Sequence, residues 1–424
     1  MEEERKVTEK AFLVGVNIDN DPDFFQSMDE LVELVKACQM EVAGRAEQNL
    51  PCVNQAFYIG SGKVEEIKAA AQMVHADIIV FDNSLTPSQL RNLQNRLEMT
   101  IMDRTNLILE IFSKRAKTRE ARMQVEIASL QYALPRLIGM GQVLSRQGGT
   151  SGGMSNKGAG EKKLELDRRR ISHRISELSR ELKQVEKERK TQRKKRQSTG
   201  IPLVALVGYT NAGKSTLLNQ MVDCYVGEEN RKVMAKDMLF ATLDTTVRKI
   251  TPPGRQPFLM SDTVGFIQNL PTHLVKAFRS TLEEIQYADL ILHVVDYSDE
   301  NFKEQMEITK ETLKDLGAEQ IPCITIFNKA DQVLAELPVC LRDKIYLSAR
   351  EGRGIEELLS MIYDRIFADH KECVMLLPYD QGSLVSYFQK EGMVRELSYE
   401  PEGTKIRLQC PVKDYEKYRE FVVE

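Results

Sequence analysis

The feature that most constrains this 424-residue chain is the segment Gly208–Ser215, which has the spacing G-x-x-x-x-G-K-S. An apolar run, Ile201–Val207, precedes the segment and predicts a buried strand, and Thr216–Met221 follows it and predicts a helix. Strand, Gly-rich turn and helix in this order are the context that a phosphate-binding loop requires. The sequence therefore predicts an α/β domain with a mostly parallel sheet that binds a nucleotide at this loop.

The residue types in this loop suit an anion. Gly208 and Gly213 let the backbone turn and approach phosphates, while the loop N–H groups and the helix N-terminus face the negative charge. Lys214 adds a mobile positive charge, and Ser215 offers a hydroxyl to Mg²⁺. The predicted nucleotide contacts comprise every residue of the loop: Gly208, Tyr209, Thr210, Asn211, Ala212, Gly213, Lys214 and Ser215.

A second segment, Asn328–Asp331, selects guanine over adenine. It follows the apolar run Ile321–Phe327, and the Asp331 carboxylate suits the N1–H and exocyclic amine of guanine, donors that adenine lacks in that arrangement. A site built for paired hydrogen bonds rejects a base that leaves them unmade by a factor on the order of 10⁴. We expect Lys329 over the base plane and a backbone N–H of Ser348–Arg350 at guanine O6. The predicted base contacts are Asn328, Lys329, Ala330, Asp331, Ser348, Ala349 and Arg350.

Two segments between these elements fit the loops that sense a γ-phosphate. At the end of the predicted strand Pro257–Met260, Asp262 can hold the Mg²⁺ shell through water, and Gly265 can offer its N–H to the γ-phosphate. The first switch is predicted within 239–246, where Thr242 is the chosen second Mg²⁺ hydroxyl and Thr245 and Thr246 compete for that role. These segments add the predicted contacts Phe240, Ala241, Thr242, Leu243, Asp244, Asp262, Thr263, Val264 and Gly265.

The residues predicted to act in GTP hydrolysis are Lys214, Thr242, Gly265 and Asn211. The predicted Mg²⁺ ligands are the hydroxyl groups of Ser215 and Thr242. Phe266 stands where many GTPases have a Gln that orients the attacking water. Either Phe266 only packs under the switch, or intrinsic hydrolysis is slow and a large partner completes the site. Asn211 either helps to hold a K⁺ ion against the phosphates or only braces the turn.

Residues 1–105 are predicted to form an N-terminal α/β domain with a parallel sheet. Its predicted strands are Ala11–Ile18, Ala56–Ile59 and Ala76–Phe81, and its predicted helices are Asp29–Cys38 and Lys63–Val74. Gly60–Lys63 resembles a fragment of a phosphate loop but lacks its spacing and its Ser/Thr. The favoured interpretation is a turn that begins a helix rather than a second nucleotide site.

Residues 106–200 are predicted to form an antiparallel helical hairpin. One arm covers Asn106–Leu137 and is expected to break near Pro135, and the other covers Glu161–Arg193 with apolar residues at heptad spacing. The Gly-rich loop 139–160 between them is either a hinge or a finger that docks on a phosphate-rich partner. From Lys162 to Gly200, fifteen Lys and Arg stand against six Asp and Glu, a net of +9, which favours RNA as a partner.

The nucleotide domain is predicted over 201–368, and a small α+β domain over 369–424. In the latter, Cys373–Leu377, Gln381–Gln389, Val394–Tyr399 and Thr404–Gln409 predict strand, helix, strand and strand. The sequence assigns this last domain no chemistry.

Composition limits the class of protein. The formal net charge is only −4, so any affinity for nucleic acid must come from a local patch such as the basic helix. The seven cysteines are scattered without a C-x-x-C pair, which argues against a zinc site or a disulfide framework. Because there is neither a signal-type N-terminus nor an apolar run of about 20 residues, we expect a cytoplasmic protein without stable membrane insertion.

Together, Gly208–Ser215, Phe240–Asp244, Asp262–Ile267, Asn328–Asp331 and Ser348–Ala349 resemble the HflX family of translation-associated GTPases. The order of an α/β domain, a Gly-rich loop, a basic hairpin and a GTPase domain is also the layout of that family. The resemblance implies GTP hydrolysis with Mg²⁺ and binding to the large ribosomal subunit and its RNA. It further implies dissociation or rescue of stalled ribosomes, with ribosome biogenesis as an older assignment.

An alternative of a different class is a non-ribosomal, GTP-dependent scaffold. In that case the heptad stripe of the hairpin binds a protein partner, and the basic run is only a solvated helix end. Salt dependence separates the two hypotheses, because phosphate contacts weaken steeply with added salt. A monomer is expected in either case.

Overall fold

The computed structural model describes residues 8–147, 157–197, 200–225, 246–263, 265–266, 283–391 and 393–423. These residues divide into two compact units that meet in the chain between Lys187 and Glu188. The architecture is α/β with parallel sheets flanked by helices, as the sequence predicts. Among the described helices, none is long and apolar enough to cross a bilayer.

The first unit contains a four-stranded sheet in the order β2-β1-β3-β4, with every neighbouring pair parallel. Its strands are β1 (Lys10–Ile18), β2 (Glu41–Leu50), β3 (Ile78–Phe81) and β4 (Thr100–Asp103). Its helices are α1 (Phe24–Ala37), α2 (Ser61–Met73), α3 (Pro87–Leu97) and α4 (Arg104–Arg115). The predicted parallel sheet is therefore confirmed, and it is apolar along β1 and β3 because helices cover both faces.

One predicted strand in this unit is wrong. Ala56–Ile59 forms a turn in which the Asn54 side chain accepts the amides of Ala56 and Phe57, at 2.8 and 3.0 Å. The strand that pairs with β1 on the side opposite β3 is instead β2, which is half polar and only partly buried. Gly60 lies immediately before α2, so the segment is a turn that begins a helix. Lys63 lies on that helix and pairs with Glu66.

Two long helices follow, α5 (Arg119–Gln147) and α6 (Lys157–Gln197). They pair in antiparallel fashion, since Arg119 contacts Glu181 at 2.7 Å and Glu126 contacts Arg174 at 2.8 Å. The seam between them is apolar and is formed by Met123, Ile127, Leu130, Ile175, Leu178, Leu182 and Val185. This confirms the predicted pairing of two helices, although the first arm begins at Arg119 and not at Asn106, because residues 104–115 form the separate helix α4.

The ends of the hairpin differ from the prediction. Helix α5 continues through Pro135 instead of breaking there, and Arg136 Nη1 donates to the Tyr132 carbonyl at 2.9 Å on the turn that proline weakens. Residues 139–147 and 157–160, which were predicted to belong to the Gly-rich loop, are helical. Extending a helix that has already formed needs no new nucleation, and each glycine lowers helix stability by only about 1 kcal/mol relative to alanine. The predicted loop is therefore wrong for 139–147 and 157–160, and 148–156 lie outside the described residues.

The second unit holds a seven-stranded, mostly parallel sheet in the order β10-β11-β9-β8-β5-β7-β6. Its strands are β5 (Leu203–Val207), β6 (Thr246–Ile250), β7 (Phe258–Asp262), β8 (Leu290–Asp296), β9 (Cys323–Asn328), β10 (Val339–Leu341) and β11 (Lys344–Tyr346). Only β6 and β10, at the edges, are antiparallel to their neighbours. Its helices are α7 (Lys214–Tyr225), α8 (Phe302–Asp315) and α9 (Ile355–Ile366), and α7 and α9 bury apolar side chains against the sheet.

A three-stranded antiparallel sheet in the order β12-β14-β13 follows in the same unit. It consists of β12 (His370–Leu377), β13 (Met393–Glu400) and β14 (Gly403–Pro411), with α10 (Gly382–Glu391) and α11 (Val412–Lys417). The predicted order of strand, helix, strand and strand is confirmed. Its core is closed by Phe388 and the sheet residues Met375, Ile406 and Leu408.

Candidate functional site

The loop Gly208–Ser215 leaves the carboxyl end of β5, the strand between β7 and β8, and runs directly into α7. Gly208 and Gly213 have φ angles of +146° and +92°, a region that favours glycine. A Cβ atom at Gly208 would collide with the Val294 carbonyl, and one at Gly213 would collide with the Asn328 amide nitrogen. The two glycines are therefore required by the packing as well as by the turn.

Lys214 is buried, and its ammonium is held by the loop itself. Nζ donates to the carbonyls of Gly208 and Tyr209 at 3.0 and 2.6 Å. Burial lowers the pKa of Lys214 to about 8, with the Asp262 carboxylate acting in the opposite direction. An anion bound in the loop would raise the pKa of Lys214 again, because a nearby negative charge favours the protonated ammonium form.

Ser215 and Asp262 meet at the base of the loop. Ser215 Oγ donates to Asp262 Oδ2 at 2.6 Å, and the Asp262 side chain is completely buried at the end of β7. A hydroxyl and a carboxylate are oxygen donors that suit Mg²⁺, which keeps several waters and takes its remaining ligands from phosphates. Among the described residues, no group of three or more His, Cys, Asp or Glu side chains is placed to hold a metal ion.

Gly265 and Phe266 lie directly across the phosphate loop. The Phe266 amide donates to the Gly208 carbonyl at 3.1 Å, and the Thr210 amide donates to the Phe266 carbonyl at 2.8 Å. A Cβ atom added to Gly265 would lie 2.8 Å from Thr210 Cα and 2.9 Å from Lys214 Nζ, so only glycine fits against the loop. Phe266 is buried, as the packing hypothesis predicts.

Thr263, which follows Asp262, makes a hydrogen bond within the sheet and not one directed at the nucleotide loop. Its Oγ1 donates to the Leu206 carbonyl at 2.6 Å and thereby ties the end of β7 to β5. The predicted site residues Phe240, Ala241, Thr242, Leu243, Asp244 and Val264 lie outside the described residues, as does the competing Thr245. The competing Thr246 is the first residue of β6.

Asn328 connects the base-reading segments to the phosphate loop. Its Nδ2 donates to the Ala212 carbonyl, and its Oδ1 accepts the Ala349 amide, both at 2.9 Å. The Ser348 amide donates to the Arg353 carbonyl at 3.2 Å. Of the three amides in Ser348–Arg350, the Arg350 amide is therefore the one whose hydrogen in the described hydrogen bonds has no acceptor, and it is the candidate for guanine O6.

Asn211 is exposed at the tip of the loop with a φ angle of +61°. Asparagine tolerates this left-handed conformation better than most residues, which suits its place in the turn. Asp331 follows Ala330 in a short 3-10 turn after β9 and is partly exposed, which leaves its carboxylate accessible to a base.

The sequence interpretation missed two residues of this region, both on β8. Asp296 Oδ2 lies 2.6 Å from Lys329 Nζ. His293 is buried beside β5, and burial, together with the charges of Lys310 and Lys214, lowers its pKa to about 4. The run Leu290–Val295 ending in an acidic residue was a usable signal, since Asp262 ends its strand in the same way.

Three family models match consecutive parts of the chain. The model described as GTP-binding GTPase N-terminal matches residues 25–113, the one described as GTP-binding GTPase Middle Region matches 115–196, and the one described as 50S ribosome-binding GTPase matches 203–329.

Curated relatives match over nearly the whole chain. A protein named GTPase HflX from Caldanaerobacter subterraneus subsp. tengcongensis is 41% identical over 425 residues, which covers 100% of this chain and 96% of the relative. The GTPase HflX of Escherichia coli is 35% identical over 416 residues, which covers 96% and 95%. Among solved structures, a GTP-binding protein from Sulfolobus solfataricus in complex with GDP has 23% identity and a TM-score of 0.46, covering 85% of this chain and 99% of its own.

Proposed function

The chain belongs to the HflX family of GTP-hydrolysing proteins, and on this basis we propose that it is a GTP-dependent switch that acts on the large ribosomal subunit in the cytoplasm. Its task would be the dissociation or rescue of stalled ribosomes, or a step in their assembly. The observation that carries the nucleotide half of this proposal is Asn328, which joins the phosphate loop at Ala212 to the base-reading segment at Ala349.

In the proposed mechanism, water attacks the γ-phosphorus of GTP, the bond to the β-phosphate oxygen breaks, and GDP and phosphate leave. Lys214 lies against the loop carbonyls, from which it can neutralise phosphate charge. The Gly265 amide would donate to the γ-phosphate, so that the contact exists with GTP and is lost with GDP. Ser215, with Asp262 behind it, would hold Mg²⁺, which supplies charge neutralisation between the β- and γ-phosphates when bound.

Switching follows from the contact between Phe266 and the loop. The Phe266 amide donates to the Gly208 carbonyl and the Phe266 carbonyl accepts the Thr210 amide. A γ-phosphate recognised at the neighbouring Gly265 would therefore act directly on the chain that continues into the second switch. We propose that this change governs the affinity of the hairpin for ribosomal RNA.

The ribosomal half of the proposal rests on charge. The three consecutive arginines Arg168–Arg170 are exposed on α6, and the segment 162–200 carries a net of +9 in a chain whose total is −4. A local concentration of this kind favours a polyanion, whose condensed counterions are released on binding.

The proposal is tested by steady-state GTP turnover with and without purified large subunits. Phe266 cannot orient water, so we expect slow intrinsic turnover and a rise on the order of 10³-fold or more when the ribosome completes the site. Equal rates with and without ribosomes would contradict this. The same assay in matched KCl and NaCl tests the proposed K⁺ role of Asn211: equal rates would remove it, and a higher rate in KCl that Asn211→Ala abolishes would support it.

A further inference from the structure

Asp296 and Lys329 form an ion pair at the edge of the predicted base site. Asp296 is the last residue of β8 and the register partner of Asn328, the last residue of β9, so Lys329, which follows β9, can turn back towards it. Asp296 Oδ2 lies 2.6 Å from Lys329 Nζ. Lys329 has a φ angle of +58°, a left-handed conformation that is unfavourable for a lysine. The surrounding structure therefore fixes both the backbone and the ammonium group of Lys329.

The carboxylate of Asp296 is itself held in place. Its Oδ1 accepts the Ser298 amide at 3.1 Å and the Ser298 hydroxyl at 2.6 Å. Tyr297, between them, packs edge-on against Phe302, Phe327 and Tyr346 with ring centroids 5.3, 5.5 and 5.0 Å away. These contacts give the turn after β8 one arrangement, in which Asp296 points one oxygen at Ser298 and the other at Lys329.

We propose that Asp296 is a positioning residue for guanine recognition, which holds the Lys329 ammonium so that the aliphatic part of Lys329 forms a preset wall of the base site. The inference rests on the proposed function, because it takes Asn328–Asp331 as the segment that reads the base. A free lysine side chain loses rotamer freedom when a ligand orders it, and an ion pair formed in advance removes part of that loss. Asp296 thus acts through Lys329 and not on the nucleotide.

The test is a double-mutant cycle on GDP affinity, measured calorimetrically with the full-length protein. We expect Asp296→Asn to raise the Kd for GDP about tenfold, since the mutation removes the charge-assisted bond to Lys329. In a Lys329→Ala background the same substitution should change the Kd less than about twofold, because the lysine through which Asp296 acts is gone. For GTP hydrolysis, KM should rise with kcat unchanged.

Asp299 provides a matched control in the same turn. Its carboxylate accepts the Asn301 amide at 2.9 Å and the Gln305 side-chain amide at 2.7 Å. Asp299→Asn removes the same charge close by without a partner in the base site, so it should leave GDP affinity unchanged. Should Asp296→Asn fail to fold, Ser298→Ala carries the same cycle, with an expected loss of about threefold from one missing donor to the carboxylate.

The outcomes are distinct. If Asp296→Asn binds GDP as tightly as the unmodified protein, or loses as much affinity in the Lys329→Ala background as alone, the positioning role is wrong. A merely structural defect would give the second result, because it would not depend on Lys329. If the unmodified protein itself does not prefer guanine nucleotides, the proposed function fails and this inference fails with it. If guanine preference is intact but the effect of Asp296→Asn does not depend on Lys329, only this inference fails.

Discussion

Lys214 is buried against neutral carbonyl groups, and this governs its proton affinity. Nζ contacts the carbonyl dipoles of Gly208 and Tyr209, and burial lowers its pKa from 10.5 to about 8. A phosphate group brought against Nζ favours the ammonium form, because an opposite charge opposes desolvation. Nucleotide binding is therefore expected to be coupled to protonation of this one side chain.

We predict that GDP affinity is nearly constant below pH 8 and falls above it. Above its pKa of about 8 the free Lys214 has lost the proton that the bound form needs, so the Kd should rise by up to about tenfold per pH unit. Calorimetry in two buffers of different ionisation heat would measure both the Kd and the proton uptake. A Kd that stays constant above pH 8 would contradict the coupling. Lys214→Arg is the control, since a guanidinium stays protonated and should flatten the profile.

The same shift has a consequence for folding, with a definite sign. The unfolded chain binds this proton more tightly than the folded protein does, so the contribution of Lys214 to stability becomes more favourable as pH rises from about 8 towards 10.5. Below pH 8 the cost of burying the charged amine is fully present.

At the level of single residues, motif spacing predicts the phosphate-binding residues but not all residues near the base. Gly208, Lys214, Ser215 and Asp262 lie together as the spacing predicts, because strand and helix geometry fixes each relative to a sheet edge. Asp296 could not be identified by spacing, since its partner Lys329 is 33 residues away and meets it only through the pairing of β8 with β9.

At the scale of elements, the joint between the first sheet and the hairpin depends on Arg136. Its Nη2 donates to the Leu85 carbonyl at 3.0 Å and to Asp103 Oδ2 at 3.2 Å, and its guanidinium lies over the Tyr132 ring. Tyr132 donates its hydroxyl to Asp103, and burial, together with the Asp103 charge, raises the pKa of Tyr132. The end of β4 is thereby bound to the middle of α5.

We predict that Arg136→Ala loosens this joint. Removing one partner of a largely buried pair leaves the Asp103 carboxylate short of donors, at a cost of about 1 to 3 kcal/mol after allowance for the part that solvent reaches. Hydrogen exchange should rise in β4 and in the turn of α5 around residue 132. Arg136→Lys should rescue little, because an ammonium cannot reproduce the forked contacts and the stacking.

Arg174→Ala is the matched control, because Arg174 pairs with Glu126 on the solvent side of the same hairpin. Exposed ion pairs contribute little, so no measurable change in exchange is expected. Equal protection in the Arg136→Ala and unmodified proteins would show that the joint does not depend on this arginine.

Element prediction succeeded where local pattern and tertiary packing agree. The heptad residues Ile175, Leu178 and Leu182 do face α5 in the hairpin seam. The pattern failed for β2, because half of the residues in Glu41–Leu50 are polar and the segment becomes a strand only by pairing along the whole length of β1. The predicted helix break at Pro135 is also wrong, because α5 continues through the proline. The contact of Arg136 with the Tyr132 carbonyl in that turn could not be predicted from the proline.

For the whole molecule, we propose that the nucleotide site and the basic segment 162–200 act together. The second unit carries the nucleotide site, and the basic segment begins on the hairpin and precedes β5 in the sequence. With a total charge of only −4, the chain has no global field for nucleic acid, so the proposed affinity for RNA should reside in that segment. Helix α6 precedes β5, the strand that carries the phosphate loop, in the sequence.

The most direct measurement is co-sedimentation of the full-length protein with purified large ribosomal subunits, loaded with GDP or with a non-hydrolysable GTP analogue, over a series of salt concentrations. The account predicts that the protein pellets with the subunit in the triphosphate state, that GDP releases it, and that binding weakens steeply as salt is added. Equal sedimentation with both nucleotides, or binding that does not respond to salt, would contradict it.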